Sequence, residues 1–281
     1  MHVDTPNPSP DAVWRPDRGT VENANLTRFM RALGVDGFEQ LNERAGADPG
    51  WFHDALIRFL DYRFEQPYEK VLDLGEGLPF ARWCVGGTTN VVLNCIDRWR
   101  GTARYTRTAL VWEGEDGAVQ AWSLADLDRE ACRLGWGLRR LGLGRGDVVG
   151  MYLPNLPQAA VAMLAVAKIG GIVLPMFSGF GADAIAQRLG DGQAKALITV
   201  DGSLRRGKPV GAKAVADEAL PQCPGVRHVV VLDHLATGHG WREGRDHWWH
   251  ELVAGAPDDC AAVPTEAMPA DAPFLLMFTS G

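Results

Sequence analysis

Between residues 148 and 201 the hydrophobic positions of this chain switch repeatedly between two periods. Val148-Val149-Gly150-Met151-Tyr152-Leu153 is an apolar run of a length that suits a buried strand. Asn155 follows as a candidate helix cap, and Pro157 falls in the first turn, where its missing N–H costs nothing. Ala160, Met163, Leu164 and Ala167 then recur at helical spacing until Gly170-Gly171 ends the helix. Ile172 to Met176 returns to a strand and leads into the loop Phe177-Ser178-Gly179-Phe180-Gly181. A shorter helix from about Ala182 to Leu189 and a strand from Ala196 to Val200 follow. Strand, helix, strand, helix, strand in this order predicts right-handed crossovers and a parallel sheet, so the fold class is α/β. Ligands on such sheets bind beyond the carboxyl ends of the strands, which makes the loops after Met176 and Val200 the candidate binding region.

The flanks read differently. Residues 1–22, rich in proline and aspartate, predict a flexible arm. Two short amphipathic helices are expected between Val21 and Ala47, with Phe29, Leu33, Phe38 and Leu41 as apolar contacts. A broad apolar stripe predicts a helix over Trp51 to Phe64. Asn90 to Trp99 reads as a helix capped by Asn90, and Thr108–Glu113 with Ala118–Trp122 reads as a hairpin turning through Gly114–Gly117. Ser123 and Asp126 form a capping-box pattern for a helix bearing Leu127, Ala131, Leu134, Leu138 and Leu141. Beyond Val200 come a basic loop (201–208), a helix near Val210 to Leu220, a strand His228 to Leu232, a helix Asp246 to Ala254 and a last strand, Phe274 to Phe278. The resulting division is an arm (1–22), a helical extension (23–100) and an α/β domain (101–281).

Composition narrows the function classes. The chain has 281 residues, 46% hydrophobic and 22% charged, as in a globular protein, and its net charge of −7 without a long basic run speaks against nucleic acid or an anionic membrane. Five widely spaced cysteines without a Cys-x-x-Cys pair speak against a disulfide framework and for a reducing, cytoplasmic setting. The polar, proline-rich start is no secretory signal. Ala159 to Phe177 is nearly uncharged, but Gly170-Gly171 and Pro175 interrupt it, so no membrane span is expected.

Candidate chemistry is concentrated in two places. Thr279, Ser280 and Gly281 follow a strand, and hydroxyls beside a glycine there can open a loop that holds phosphates, although an ordinary turn has the same composition. Arg205, Arg206 and Lys208 concentrate positive charge in one loop, which a solvated surface would also do. His247 and His250 could share a helix face, but no third metal ligand is evident. Trp248-Trp249 reads as packing, and no Gly-x-Ser-x-Gly or Gly-x-Gly-x-x-Gly motif is present.

Taken in order, DYRFEQPYEK, FARWCVGGTTNVVLNCIDRW, GRGDVVGMYLPNLPQAAVAMLAVAKIGGIVLPMFSGFGADAIAQRL, GRDHWWHELV and LLMFTSG resemble the amino-terminal part of an AMP-forming acyl-CoA synthetase of the adenylate-forming superfamily. The likeness is strongest to the acetyl- and propionyl-CoA synthetase branch and runs from about Trp51 to Gly281. A relative that passes its acyl group to a carrier protein fits less well, because residues 51–99 resemble the CoA-ligase extension. The resemblance implies that Thr279, Ser280 and Gly281 contact the β- and γ-phosphates of ATP. It also implies that Phe177, Ser178 and Gly179 lie near the adenine of coenzyme A, with Arg205 and Lys208 at its phosphates. Ser178 stands where the family usually has glycine, and Lys208 replaces an arginine, keeping the charge and losing the bidentate fork.

The fold expected from the resemblance is part of an adenylate-forming domain behind a helical extension. The implied reaction joins a small carboxylic acid to CoA through an acyl-adenylate, using ATP and Mg2+ and releasing AMP and pyrophosphate. No catalytic residue and no metal ligand are expected among the 281 residues, since the family's catalytic lysine and acyl pocket correspond to later segments. Adenylation by this stretch alone is therefore not expected, and exposed apolar surface should make it aggregate. The alternative is a non-catalytic CoA- or nucleotide-binding module, or a fragment without independent activity. The acyl group and the oligomeric state are not encoded in these residues.

Overall fold

The computed structural model describes residues 13–279 and divides the chain into two compact units, Met1–Gly87 and Thr88–Gly281. In the first, three short helices, α1 (Arg18–Asn23), α2 (Asn25–Leu33) and α3 (Phe38–Ala47), precede α4 (Pro49–Phe59) and an antiparallel pair, β1 (Lys70–Asp73) and β2 (Arg82–Val85). Helix α1 begins inside the stretch expected as an arm and runs one residue past it, and Asp17 caps it by accepting from the Thr20 N–H. Phe29, Met30, Val35 and Leu41 form a small core against Phe52 and Phe59, whereas Phe38 is exposed. The helix expected to reach Phe64 stops at Phe59, because Leu60 caps it and Asp61 turns into the left-handed region (φ 49°).

The second unit opens with β3 (Thr88–Thr89) and α5 (Val91–Cys95), which Asn90 caps as expected by accepting from the Val92 N–H. A 3-10 turn over Asp97–Trp99 replaces the rest of the expected helix. The hairpin β4 (Thr108–Glu113) and β5 (Val119–Ser123) leads to α6 (Leu124–Arg140), whose capping box is formed by Ser123 and Asp126.

From there the chain builds a wholly parallel sheet. Its strands are β6 (Val148–Tyr152), β7 (Ile172–Pro175), β8 (Ala196–Val200), β11 (His228–Leu232) and β12 (Asp246–Trp248), in the spatial order β12-β11-β8-β6-β7. Helices α7 (Pro157–Lys168), α8 (Ala182–Asp191) and α9 (Ala212–Ala219) make the crossovers, with α6 packed on α7 and α8 on α9. That pairing puts a helix layer on each face, so β8 is buried throughout and its sequence is apolar in every position but Thr199. Gly150 in β6 is required by this packing: a Cβ there would lie 2.5 Å from Leu189 Cδ2 of α8. The connections from β6 and β8, which are neighbours, lead outwards in opposite directions, to β7 and to β11. A crevice opens between such strands at their carboxyl ends.

Some local expectations change. Leu156, not Asn155, occupies the N-cap of α7, and no side chain caps it; Pro157 at the first position already removes one orphan donor. The basic loop is a hairpin, β9 (Ser203–Arg205) and β10 (Lys208–Val210). Asp246–Trp248 is the edge strand β12, and only Trp249–Leu252 is helical (α10), because parallel pairing with β11 claims the first three residues. Beyond β13 (Met268–Pro269), Phe274–Phe278 forms no ladder; Leu275 alone bridges Val173, in parallel, at the β7 edge.

Candidate functional site

The loops after β6, β7, β8 and β11, together with the β4–β5 turn, surround a groove of about 650 Å³. Its walls include Trp112, Leu156, Phe177, Ser178, Arg205 and His234. This is the strand-end crevice at the switch between β6 and β8, where a ligand site was expected.

The loop after β7 is shaped from below. Tyr152, the last residue of β6, is 2% exposed, and its hydroxyl lies 3.1 Å from the Ser178 carbonyl oxygen and 3.0 Å from that of Phe180. One proton serves both acceptors in turn, and burial raises the Tyr152 pKa, so the phenol stays protonated and the loop stays tethered. Phe177 packs edge-on against Phe180, with ring centroids 5.8 Å apart, yet is 61% exposed at the groove. The Arg205 guanidinium lies 5.7 Å from the Phe177 ring centre. Gly179 sits so close that a Cβ would fall 2.8 Å from Arg205 Nη1 and 2.5 Å from Phe177 Cε1. Ser178 lines the groove, and the close approach of Phe177 and Arg205 falls one position later, at Gly179.

Arg205 and Lys208 are direct cross-strand partners on the β9–β10 ribbon, which places their side chains on one face. Neither makes an ion pair among the described residues, although like charges in this position repel. The turn between them, Arg206-Gly207, has positive φ at both residues (52° and 72°), the two-residue hairpin geometry that suits the twist of the strands. Glu115, from the β4–β5 turn, accepts from the backbone N–H groups of Gly207 (2.8 Å) and Arg206 (3.0 Å). Those two bonds, Gly207 first, hold the Glu115 carboxyl below its ordinary pKa. At the floor of the same region, buried Asp201 accepts from the N–H groups of His234, Leu235 and Thr237 and so fixes the loop after β11. Burial raises its pKa, but the backbone donors, led by Thr237, outweigh that and lower it overall.

The sequence-derived residues separate as follows. Phe177, Ser178 and Arg205 line the groove, and Gly179 lies against Phe177 and Arg205. Lys208 stands opposite Arg205 but does not line it. Thr279 is exposed at the end of the segment that passes β7 in parallel. Arg188 lies over the rings of both Phe180 (4.2 Å) and Phe278 (5.4 Å), so this segment arrives beside the Phe177–Phe180 loop. Ser280 and Gly281 lie outside the described residues.

His247 and His250 do not share a helix face. His247 is in β12 and meets His228, with Nδ1 of His228 3.2 Å from Nε2 of His247, while the His250 ring lies over Trp248. Trp248 stacks on Trp241 at 4.6 Å and Trp249 is buried, as packing requires. Among the described residues one group could hold a metal ion, Asp128, Cys132 and Cys260, and none of these lines the groove. Glu115, Tyr152 and Asp201 escaped the sequence reading. Glu115 lay in a segment that read only as a glycine turn, and nothing local links it to a hairpin some 90 residues away.

Comparison with known proteins gives two family matches along the chain. Residues 97–281 match the family model of AMP-binding enzymes, and residues 38–95 match that of the acetyl-coenzyme A synthetase N-terminus. Acetyl-coenzyme A synthetase of Rhodopirellula baltica is 39% identical over 279 residues, covering 96% of this chain and 40% of that protein. That of Mycobacterium tuberculosis is 44% identical over 218 residues, covering 76% of this chain and 33% of that protein. Among solved structures, acetoacetyl-CoA synthetase from Streptomyces lividans superposes with a TM-score of 0.85 at 29% identity, over 95% of this chain and 41% of that one. The chain thus spans about a third to two fifths of the length of the relatives it matches.

Proposed function

Since the chain belongs to the family of AMP-binding enzymes, with an acetyl-coenzyme A synthetase N-terminus ahead of that region, we propose that it is the amino-terminal part of an AMP-forming short-chain acyl-CoA synthetase and carries that enzyme's coenzyme A groove. The whole protein would convert a small carboxylic acid, ATP and CoA into acyl-CoA, AMP and pyrophosphate through an acyl-adenylate. The observation that carries this reading is the pair of unpaired cations, Arg205 and Lys208, on one face of a ribbon beside the exposed ring of Phe177.

Coenzyme A combines a flat adenine with several phosphate charges, and the groove with its bordering β9–β10 ribbon offers partners for both. Phe177 presents an aromatic face, which binds a purine by stacking. Arg205 can meet a phosphate with two parallel N–H donors, whereas Lys208 supplies a point charge. Glu115, at the groove wall, acts as a positioning residue by fixing the turn between the two strands that carry the cations. Tyr152 does the same for the Phe177–Phe180 loop. A protein that displays these charges without a carboxylate partner has not spent them on its own stability.

On the ATP side, Thr279 is the one described residue proposed to reach phosphate, with Ser280 and Gly281 completing the segment. Mg2+ would neutralise phosphate charge when bound, and no residue here is assigned to it. Adenylation by these 281 residues alone is therefore not expected, and a cytoplasmic setting suits an enzyme of this substrate class. No helix among the described residues is long and apolar enough to cross a membrane.

Equilibrium dialysis of CoA against the 281-residue chain tests the proposal. Saturable binding that weakens in Phe177→Ala supports it, and binding unaffected by that change places CoA elsewhere. A parallel assay for pyrophosphate release with acetate or propionate and MgATP should read zero; turnover would show that the chain holds more of the adenylation machinery than proposed.

A further inference from the structure

Apart from the groove, α6 and the 3-10 turn at Cys260–Ala262 bring two free cysteines together. Cys132 on α6 is fully buried, and Cys260 is half-buried. Both sulfurs and a carboxylate oxygen of Asp128 lie within 4.8 Å of one another. The Cys132 thiol donates to Asp128 Oδ1 at 3.4 Å, with the sulfur of Cys260 beside it. Cys260 Sγ is also 3.6 Å from the Asp128 carbonyl oxygen.

Two sulfurs and a carboxylate resemble part of a soft-metal site, but the carboxylate is already committed. Asp128 accepts from Arg100 Nε (2.6 Å), Arg100 Nη2 (2.7 Å) and the Tyr105 hydroxyl (2.8 Å), and Arg100 Nη2 also lies 3.8 Å from Cys132 Sγ. A metal ion there would meet a fixed guanidinium. What remains is a pair of thiols whose sulfurs lie within 4.8 Å of each other.

We propose that Cys132 and Cys260 form a site of reversible oxidative modification, closing into an internal disulfide between α6 and the Cys260–Ala262 turn on exposure to a small-molecule disulfide such as glutathione disulfide. The inference is independent of the coenzyme A reading. Cys260 is the attacking thiol. It belongs to the more exposed of the two residues, and its neighbour Cys132, with Arg100 and Lys168 nearby, lowers its pKa against the opposing effects of burial and Asp128. Cys132 is the resolving thiol, held protonated by the neighbouring Cys260 and by burial.

The Cys260 thiolate attacks one sulfur of glutathione disulfide, forming a mixed disulfide and releasing one glutathione thiolate, which takes up a proton. Cys132 then attacks the Cys260 sulfur; the bond to glutathione breaks, the second glutathione leaves, and the proton of Cys132 goes with it. The two protein thiols lose two electrons and two protons, and glutathione disulfide becomes two glutathione thiols. Closure needs the sulfurs to approach from within 4.8 Å to about 2.05 Å. The new bond would tether α6 to the segment that continues through Pro264, whose carbonyl already accepts from Arg139, towards Leu275 and Thr279.

The test is a peptide map of the purified 281-residue chain after treatment with glutathione disulfide, alkylation of remaining thiols and digestion without reductant. The expected result is a peptide pair joined through Cys132 and Cys260 that separates on adding dithiothreitol. In Cys132→Ser the link should vanish and glutathione should remain on Cys260; in Cys260→Ser, Cys132 should carry no glutathione. If either variant fails to fold, the wild-type map decides by itself. Recovery of Cys132 and Cys260 both alkylated, or of glutathione on wild-type Cys260 without the link, overturns the proposal.

Discussion

At the scale of single residues, the groove depends on side chains that act through others. Glu115 is the clearest case, because its only described partners are two backbone N–H groups of the β9–β10 turn. Its folded pKa is lowered from 4.5. The contribution of such a group is fully present above the unfolded value and is lost as pH falls through the folded one. Protection of the Arg206 and Gly207 amides relative to the intrinsic exchange rate should therefore be high at neutral pH, fall below about pH 4.5, and be low at all pH values in Glu115→Ala. Equal protection in that variant would remove Glu115 as the anchor. Phe177, Gly179 and Arg205 were legible in the sequence through family resemblance, and they do come together. Glu115 and Tyr152 were not, because a carboxylate that caps a distant turn and a phenol under a loop leave no local pattern.

At the scale of elements, the central strands were legible because helices cover both faces and their sequences run apolar without alternation, as Ala196–Val200 shows. Short elements fixed by pairing were not. Asp246–Trp248 becomes a strand only because β11 offers it an edge, and Ser203–Val210 becomes a hairpin through its turn and Glu115. Two substitutions test this packing. Gly150→Ala drives a methyl towards Leu189 Cδ2, 2.5 Å away, and should cost about 1–3 kcal/mol by overpacking. Urea unfolding should show a lower midpoint with an unchanged slope, and an unchanged midpoint would mean that α8 packs less closely on β6. Arg100→Ala leaves Asp128, whose side chain is 1% exposed, without its bidentate partner. Stability should fall by about 3 kcal/mol, with Tyr105 as the one remaining side-chain O–H donor. A loss below about 1 kcal/mol would show that solvent reaches the pair.

At the scale of the whole molecule, the chain presents a family scaffold in which the groove proposed to take coenzyme A is lined by Phe177, Ser178 and Arg205 and the proposed phosphate contacts are Thr279 to Gly281. Phe274 and Met277 are exposed beside the β7 edge, at 45% and 69%. Apolar surface beside a strand edge promotes association, so light scattering of the isolated chain should show concentration-dependent self-association, and a monomer at all concentrations would contradict this. The most direct measurement is a calorimetric titration of coenzyme A into the wild-type chain and into Arg205→Ala. The expected result is saturable binding weakened about 10- to 100-fold by the substitution, the worth of charged hydrogen bonds, with the wild-type affinity falling as salt is added. Equal affinity in both proteins, or no binding to either, would contradict the assignment of this groove to coenzyme A.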